Sequence, residues 1–236
     1  ASIQTLNSNE QYKEFACDYF DYIVLDESHH TTASSYRKIL SHFDSKIMLG
    51  LTATPERLDG EDILEFFNHR IAYEIRLREA IERNLLCPFH YFGVSETVDL
   101  SNVKWQNGRY DTLELSDKYI GNLARDIGIV SAIDRYVTSR NSIKGLGFCV
   151  SKEHARYMAN SFNEKGISSI SLDSDSSDEV RRGAKDKLIS GDIKFIFVVD
   201  LYNEGVDIPQ INTVLFLRPT ESATVFIQQL GRGLRL

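Results

Sequence analysis

The chain has 236 residues, 42% of them hydrophobic and 26% charged, with a formal net charge of −7. That composition argues against disorder, and the longest apolar runs, such as 195–199, are strand-sized and far short of a membrane span. The acidic balance argues against a surface that is basic all round, yet nucleic acid needs only a local stripe of donors. The length suits two modest domains. Cys17, Cys87 and Cys149 lie far apart without metal-ligand spacing and read as reduced thiols of a cytoplasmic protein. No signal peptide is visible, and a first residue of Ala rather than Met fits a processed or excised chain.

Apolar strand-like runs alternate with helical stretches, the pattern of an α/β protein built on parallel sheet. In the first part, 22–25 reads as a buried strand ending in Asp26-Glu27, and 34–42 as a helix with Tyr36, Ile39 and Leu40 on one face. A second strand, 47–51, ends at Thr52-Ala53-Thr54-Pro55. Residues 62–68 read as helical and 71–77 as extended. A short helix over 79–84 would connect two lobes. In the second part the pattern predicts a strand over 89–94, then a polar, turn-rich insertion over 95–118 and a helix over 120–138. Strand 146–150, helix 152–165, strand 167–172 and helix 179–189 follow, the last with several N-cap candidates in 173–178. Strands 194–199 and 213–217 and a helix over 222–230 complete the reading. The acidic and hydroxyl clusters both sit just past carboxyl ends of strands, where open α/β sheets place ligands.

Three clusters carry chemistry. A carboxylate at a strand end, such as Asp26, can hold Mg²⁺ through water while its neighbour Glu27 polarises an attacking water. An isolated Asp-Glu pair would be read as an acidic loop; the apolar run before it, His29 after it and Thr52-Ala53-Thr54 downstream favour the chemical reading. Near the end of the chain, Gln228-Gln229-Leu230-Gly231-Arg232-Gly233-Leu234-Arg235 brings two guanidinium forks three residues apart, suited to a polyphosphate whose transferred group gains spread charge. Alone, Arg232 and Arg235 could equally be a basic helix end complementing the helix dipole. No G-x-x-x-x-G-K-S/T phosphate loop occurs in the 236 residues.

Val24-Leu25-Asp26-Glu27-Ser28-His29, Leu51 to Pro55, Asn203-Glu204-Gly205-Val206-Asp207-Ile208-Pro209 and Gln228 to Arg235 resemble motifs II, III, V and VI of superfamily-2 helicases, in the family's order. The resemblance implies two RecA-like lobes with parallel sheets, the first incomplete. Residues 1–77 would be the later part of lobe one, and 78–236 lobe two with the insertion near 95–118. It implies ATP and Mg²⁺ as cofactors. Asp26 would hold the metal and Glu27 would be the general base. Gln228, Arg232 and Arg235 would address the γ-phosphate, Arg235 as the finger, and Gly205 and Asp207 would lie against the nucleotide. His29, Thr52 and Thr54 would couple nucleotide state to the nucleic-acid groove. Backbone phosphates would meet Thr5 in a segment similar to motif Ib, Ser151 at motif IV and Asp200 before motif V. Where motif V commonly has threonine before the aspartate, this chain has Val199.

Asp-Glu-Ser-His with Thr52 to Gly60 is most similar to the DExH translocases of bacterial restriction and DNA repair, which implies DNA rather than RNA as partner. His30, His42, His69, His90 and His154 carry no such context and read as solvated or core histidines. The missing phosphate loop leads to the expectation of an excerpt of a longer ATP-dependent helicase, hydrolytically inert by itself. Two alternatives stay open: an inert helicase-like module binding nucleic acid or protein, and an ATPase whose phosphate loop comes from a second polypeptide.

Overall fold

The computed structural model describes residues 2–28, 34–52, 63–95, 98–106, 108–199, 208–220 and 222–236. The chain divides into two compact units, Ala1–Arg76 and Leu77–Leu236.

In unit one, helix α1 (Ile3–Asn7) is capped by Ser2, whose hydroxyl accepts from the Thr5 N–H. Strands β1 (Tyr22–Leu25) and β2 (Ile47–Gly50) pair in parallel, with Tyr22 opposite Ile47 and Leu25 opposite Gly50. Parallel neighbours need a crossover, and helix α2 (Ser34–Leu40) lies in the connection. Its Ile39 packs with Tyr12 and Phe43, and Phe20 meets the Phe43 ring edge-on at 5.3 Å. The helix expected over 62–68 is a 3-10 helix, Ile63–Phe67, and the segment expected to be extended over 71–77 joins no strand among the described residues. Gly50 is required by crowding: a Cβ there would fall 2.5 Å from the Phe67 ring and 2.9 Å from Ser28 Oγ.

Unit two opens with helix α3 (Leu77–Glu82). A short hairpin of β3 (Trp105–Gln106) and β4 (Arg109–Tyr110) leads into helices α4 (Thr112–Tyr119) and α5 (Leu123–Tyr136). The main sheet then forms from β5 (Gly145–Phe148), β6 (Ser169–Ser171), β7 (Phe195–Val198) and β8 (Thr213–Phe216), all parallel, in the order β6-β7-β5-β8. Helix α6 (Lys152–Glu164) connects β5 to β6, α7 (Asp178–Ser190) connects β6 to β7, and α8 (Ala223–Gly231) follows β8.

The strand period of two decides how this sheet packs. Phe195 and Phe197 of β7 face one core with Met158 and Phe162 of α6 and Val130 and Ile133 of α5. Ile196 and Val198 face the other, with Leu146 and Phe148 of β5 and Ala184 and Leu188 of α7. Gly145 and Gly147 lie directly opposite Phe195 and Phe197, whose rings overlie them while Phe162 meets both rings edge-on. Both faces are apolar because helices cover both, as parallel sheets require.

Three sequence expectations change in this unit. The strand expected over 89–94 does not form; the segment is irregular, and a cavity of about 850 Å³ lies between it and β8, bordered also by Ile129 and Tyr136. The insertion over 95–118 is more ordered than its polar composition implied, holding the hairpin and α4, whose N-cap Asp111 accepts from the N–H groups of Leu113 and Glu114. The single helix expected over 120–138 is broken at its start. Gly121 takes φ +81°, and Asn122 caps α5 by accepting from the Arg125 N–H.

A Cβ on Gly145 would lie 2.1 Å from the Phe195 ring, and one on Gly147 2.5 Å from Phe197. Gly145→Ala and Gly147→Ala are therefore each expected to destabilise unit two by about 1–3 kcal/mol through overpacking, read as a lower urea midpoint.

Candidate functional site

In unit one, the Asp26-Glu27 turn closes over the end of β1 and is fixed by backbone bonds to the chain leaving β2. Leu51 donates its N–H to Leu25 O at 2.8 Å and accepts at its carbonyl from the Ser28 N–H at 2.8 Å. The residues flanking Asp26-Glu27 are thus both bonded to Leu51, which places Thr52 next along from the acidic turn. Ser28 is buried, while Asp26 is exposed and its Oδ1 accepts from the Glu27 N–H at 3.0 Å. Glu27 sits at φ +49°, a left-handed conformation that costs a side-chain-bearing residue about 1 kcal/mol or more. Such strain persists only where surrounding bonds over-determine it, and here the two Leu51 bonds do so.

Among the described residues no group of three or more His, Cys, Asp or Glu side chains could hold a metal ion. One exposed carboxylate at a strand end suits a cation that keeps most of its waters and shares a phosphate-bearing substrate, which is the habit of Mg²⁺. Asp26 fits that requirement.

In unit two, Gln228 lies on α8, and Arg232 is the helix C-cap, its N–H directed to the carbonyls of Gln229 and Leu230. Four residues apart, the two share a helix face. The Gln228 Nε2 is buried with no acceptor among the described residues, a state that costs roughly 1–3 kcal/mol unless a ligand supplies one. Beyond the helix, Leu234 O accepts from the Cys87 N–H at 2.9 Å, and Arg235 borders the 850 Å³ cavity. Gly233 permits this close return, since a Cβ would fall 2.9 Å from Val214 Cγ2.

The nucleic-acid candidates fall apart from these. Thr5 is exposed on α1, its hydroxyl 2.7 Å from Ser2 Oγ. Ser151 is buried at the start of α6, where its Oγ accepts from the His154 N–H at 3.0 Å and shares a 2.7 Å hydrogen bond with Ser116 Oγ. His29, Thr54, Asp200, Gly205 and Asp207 lie outside the described residues.

Sequence reasoning passed over the groups that hold the carboxyl ends of β5 and β8. Arg125, only 6% exposed, donates from Nη2 to Leu217 O at 2.9 Å and lies 3.9 Å above the Tyr119 ring. His154 is wholly buried, and its Nδ1 accepts from the Val150 N–H at 3.2 Å. Nε2 therefore carries the ring proton, so its 3.5 Å approach to Arg125 Nη1 is a contact between two donors. Next to them, buried Asp126 accepts from Tyr157 at 2.5 Å and from Ser161 at 2.7 Å, joining α5 to α6. A lone polar residue on an apolar helix face gives no sign in sequence of which strand end it will meet.

Past those strand ends is a second cavity, of about 450 Å³, bordered by Ser151 and Lys152, by Val199 after β7, by Arg218 after β8, and by Arg109 and Tyr110 of the hairpin. The signal for the hairpin was present: Asn107-Gly108 between Trp105-Gln106 and Arg109-Tyr110 is a two-residue turn pattern.

An α/β unit with an all-parallel sheet, and with polar and cationic groups gathered past its strand ends, is the architecture of RecA-like helicase domains, and comparison with known proteins agrees. Residues 1–57 match the family described as type III restriction enzyme, res subunit, and residues 128–236 the helicase conserved C-terminal domain. The chain is 31% identical over 243 residues to the putative ATP-dependent helicase IRC3 of Saccharomyces cerevisiae, covering 100% of this chain and 34% of that protein. To the type I restriction enzyme EcoAI endonuclease subunit of Escherichia coli it is 29% identical over 254 residues, covering 95% of this chain and 31% of the relative. Among solved structures, the ATP-dependent type ISP restriction-modification enzyme LlaBIII bound to DNA superposes with a TM-score of 0.64 at 19% identity, over 99% of this chain and 18% of that one. Dbp5 of S. cerevisiae bound to RNA and ADP BeF3 gives 0.56 at 14% identity, over 98% of this chain and 54% of that one. The chain belongs to the superfamily-2 helicases. It spans about a third of the length of the two curated relatives named. No helix among the described residues is long and apolar enough to cross a membrane.

Burial, with the Arg125 charge second, lowers the His154 pKa to about 3. The folded value lies below the unfolded one of about 6.5, so the unfolded chain binds the extra proton and stability falls as pH drops from 6.5 towards 3. Urea midpoints are expected to decline between pH 7 and pH 5, and His154→Gln to flatten that decline. In NMR titration the imidazole should remain neutral at pH 5.

Proposed function

We propose that the chain supplies part of the ATP-driven motor of a helicase or translocase that acts on DNA rather than RNA. The observation that carries this reading is the acidic turn after β1: a strained Glu27 held between two backbone bonds to Leu51, beside an exposed Asp26. A backbone so constrained holds one carboxylate where it can accept a proton from a water, while the other stays free to face a hydrated cation.

In this reading Asp26 holds Mg²⁺ through water, and the ion when bound supplies neutralisation of phosphate charge. Glu27 takes the proton of the hydrolytic water. Gln228 offers its Nε2 to an oxygen acceptor, and Arg232 and Arg235 offer guanidinium donors to the charge that develops on a transferred phosphoryl group. His29, Thr52 and Thr54 couple nucleotide state to nucleic acid, and Gly205 and Asp207 lie against the nucleotide. Thr5, Ser151 and Asp200 belong to the nucleic-acid side; for Ser151 the contact would have to compete with its helix-capping bond. The restriction-enzyme relatives support DNA as the partner, although Dbp5 was solved with RNA.

Without a G-x-x-x-x-G-K-S/T loop among its 236 residues, the chain by itself lacks the amide nest and lysine that would anchor the β- and γ-phosphates. ATP hydrolysis by the isolated chain, with Mg²⁺ and single-stranded DNA present, is expected at background. Turnover that Glu27→Gln abolishes would reject that part of the reading. In a polypeptide that joins this chain to a phosphate loop, Glu27→Gln should stop turnover and Arg235→Ala should lower kcat about 10³-fold or more. Competition between DNA and RNA strands of one sequence tests the partner: equal affinity removes the DNA preference.

A further inference from the structure

The hairpin of β3 and β4 is not accounted for by any helicase motif, yet it is firmly built. Asp111 donates its N–H to Lys104 O at 2.8 Å, and Lys104 is tied to Glu114 of α4 by a backbone bond of 2.9 Å and an ion pair of 2.7 Å. Beneath it, Val103, Leu115 and Tyr119 form a small buried core with Val150, so the hairpin is anchored to the end of β5. Tyr110 packs on that core and also borders the 450 Å³ cavity.

On this base stands Trp105, the only tryptophan in the chain, with 56% of its surface exposed. A single exposed aromatic is ordinary on protein surfaces and by itself means little. This one differs in two respects. Its ring is fixed edge-on against Tyr110 at 4.6 Å, so one orientation is selected before any ligand arrives. Through Tyr110 it also adjoins a cavity bordered by three cations, Arg109, Lys152 and Arg218. Lys152 is paired with exposed Asp175 at 2.7 Å, a surface ion pair of small worth that leaves the lysine two further donors. An aromatic face next to gathered cations matches one repeating ligand, a single strand whose phosphates and bases alternate.

From this geometry we infer that the hairpin is a base-stacking platform: Trp105 stacks on an unpaired base while Arg109, Lys152 and Arg218 hold the adjoining backbone phosphates. The inference rests on the nucleic-acid reading above and deepens it, since it adds contact with a base face to a grip otherwise made on backbone. Stacking is tolerant of base identity because every base has a π face, so the site favours single strands over duplex without selecting a sequence. The sheet positions the cations, and the hairpin positions the ring.

Because Trp105 is the sole indole, its fluorescence reports on this site alone. A single-stranded oligodeoxythymidylate titrated into the chain should quench the emission in a saturable, salt-sensitive manner. An abasic strand of equal length should bind without comparable quenching, and a blunt duplex should quench far less. By anisotropy of a labelled strand, Trp105→Ala should weaken binding roughly 5- to 150-fold and Trp105→Phe only a few-fold. Arg218→Ala should lower affinity yet leave the quenching at saturation unchanged. Binding of the labelled strand with unaltered emission, and with Trp105→Ala equal to the parent, would overturn the platform while leaving the nucleic-acid reading intact. No binding of any strand at low salt would overturn both.

Discussion

Arg125 is a charged side chain with almost no access to water, and the candidate binding surface of unit two depends on how that charge is accommodated. Its guanidinium is directed to the Leu217 carbonyl just past β8 and lies on the Tyr119 ring, while His154 beside it takes up the Val150 N–H just past β5. A carbonyl bond and a desolvated cation–π contact offset part of the cost of burial, the latter by about 2 kcal/mol. The consequence is geometric. The two adjacent strands whose carboxyl ends carry Ser151 and Arg218 are held from inside the fold by side chains of α5 and α6. A neutral His154 is part of the same arrangement, because a second cation at 3.5 Å from Arg125 would repel it.

Unit one solves a similar problem with backbone alone. Leu51 accepts from Ser28 and donates to Leu25, and the turn between them has room for only two residues, Asp26 and Glu27. Glu27 takes a left-handed φ in that turn, and crowding requires Gly50 beside it, since a Cβ there would meet Phe67 and Ser28. The acidic turn and Leu51, which leads into Thr52, are therefore one hydrogen-bonded object, although a whole helix separates them in sequence. Strain at Glu27 costs stability and fixes the backbone from which its carboxylate projects.

Much of this was legible in the residues. The run 195–198 is continuous and apolar, as a parallel strand covered on both faces must be, and Ser177 and Gly191 mark both ends of α7. Asp26, Glu27, Gln228, Arg232 and Arg235 are singled out as candidates by motif order, which carries information that single residues do not. The apolar stretch 89–94 misled, since its composition suits a strand but β8 offers it no pairing among the described residues. Polarity misled in the opposite direction over 95–118, where a well-capped helix and a short hairpin survive on four buried side chains.

What the sequence determined by itself was local and periodic: the strand and helix alternation, the caps, the family, and the identity of the chemical groups at strand ends. Tertiary structure alone decided which of those groups are neighbours. The pairing of Leu51 with both ends of the acidic turn, the burial of Arg125 and His154 beside the ends of β8 and β5, and the gathering of Tyr110, Lys152 and Arg218 around one cavity all join residues distant along the chain. Such contacts depend on sheet order, and sheet order is set by the packing of whole faces, which leaves no short-range mark in the residues that finally touch.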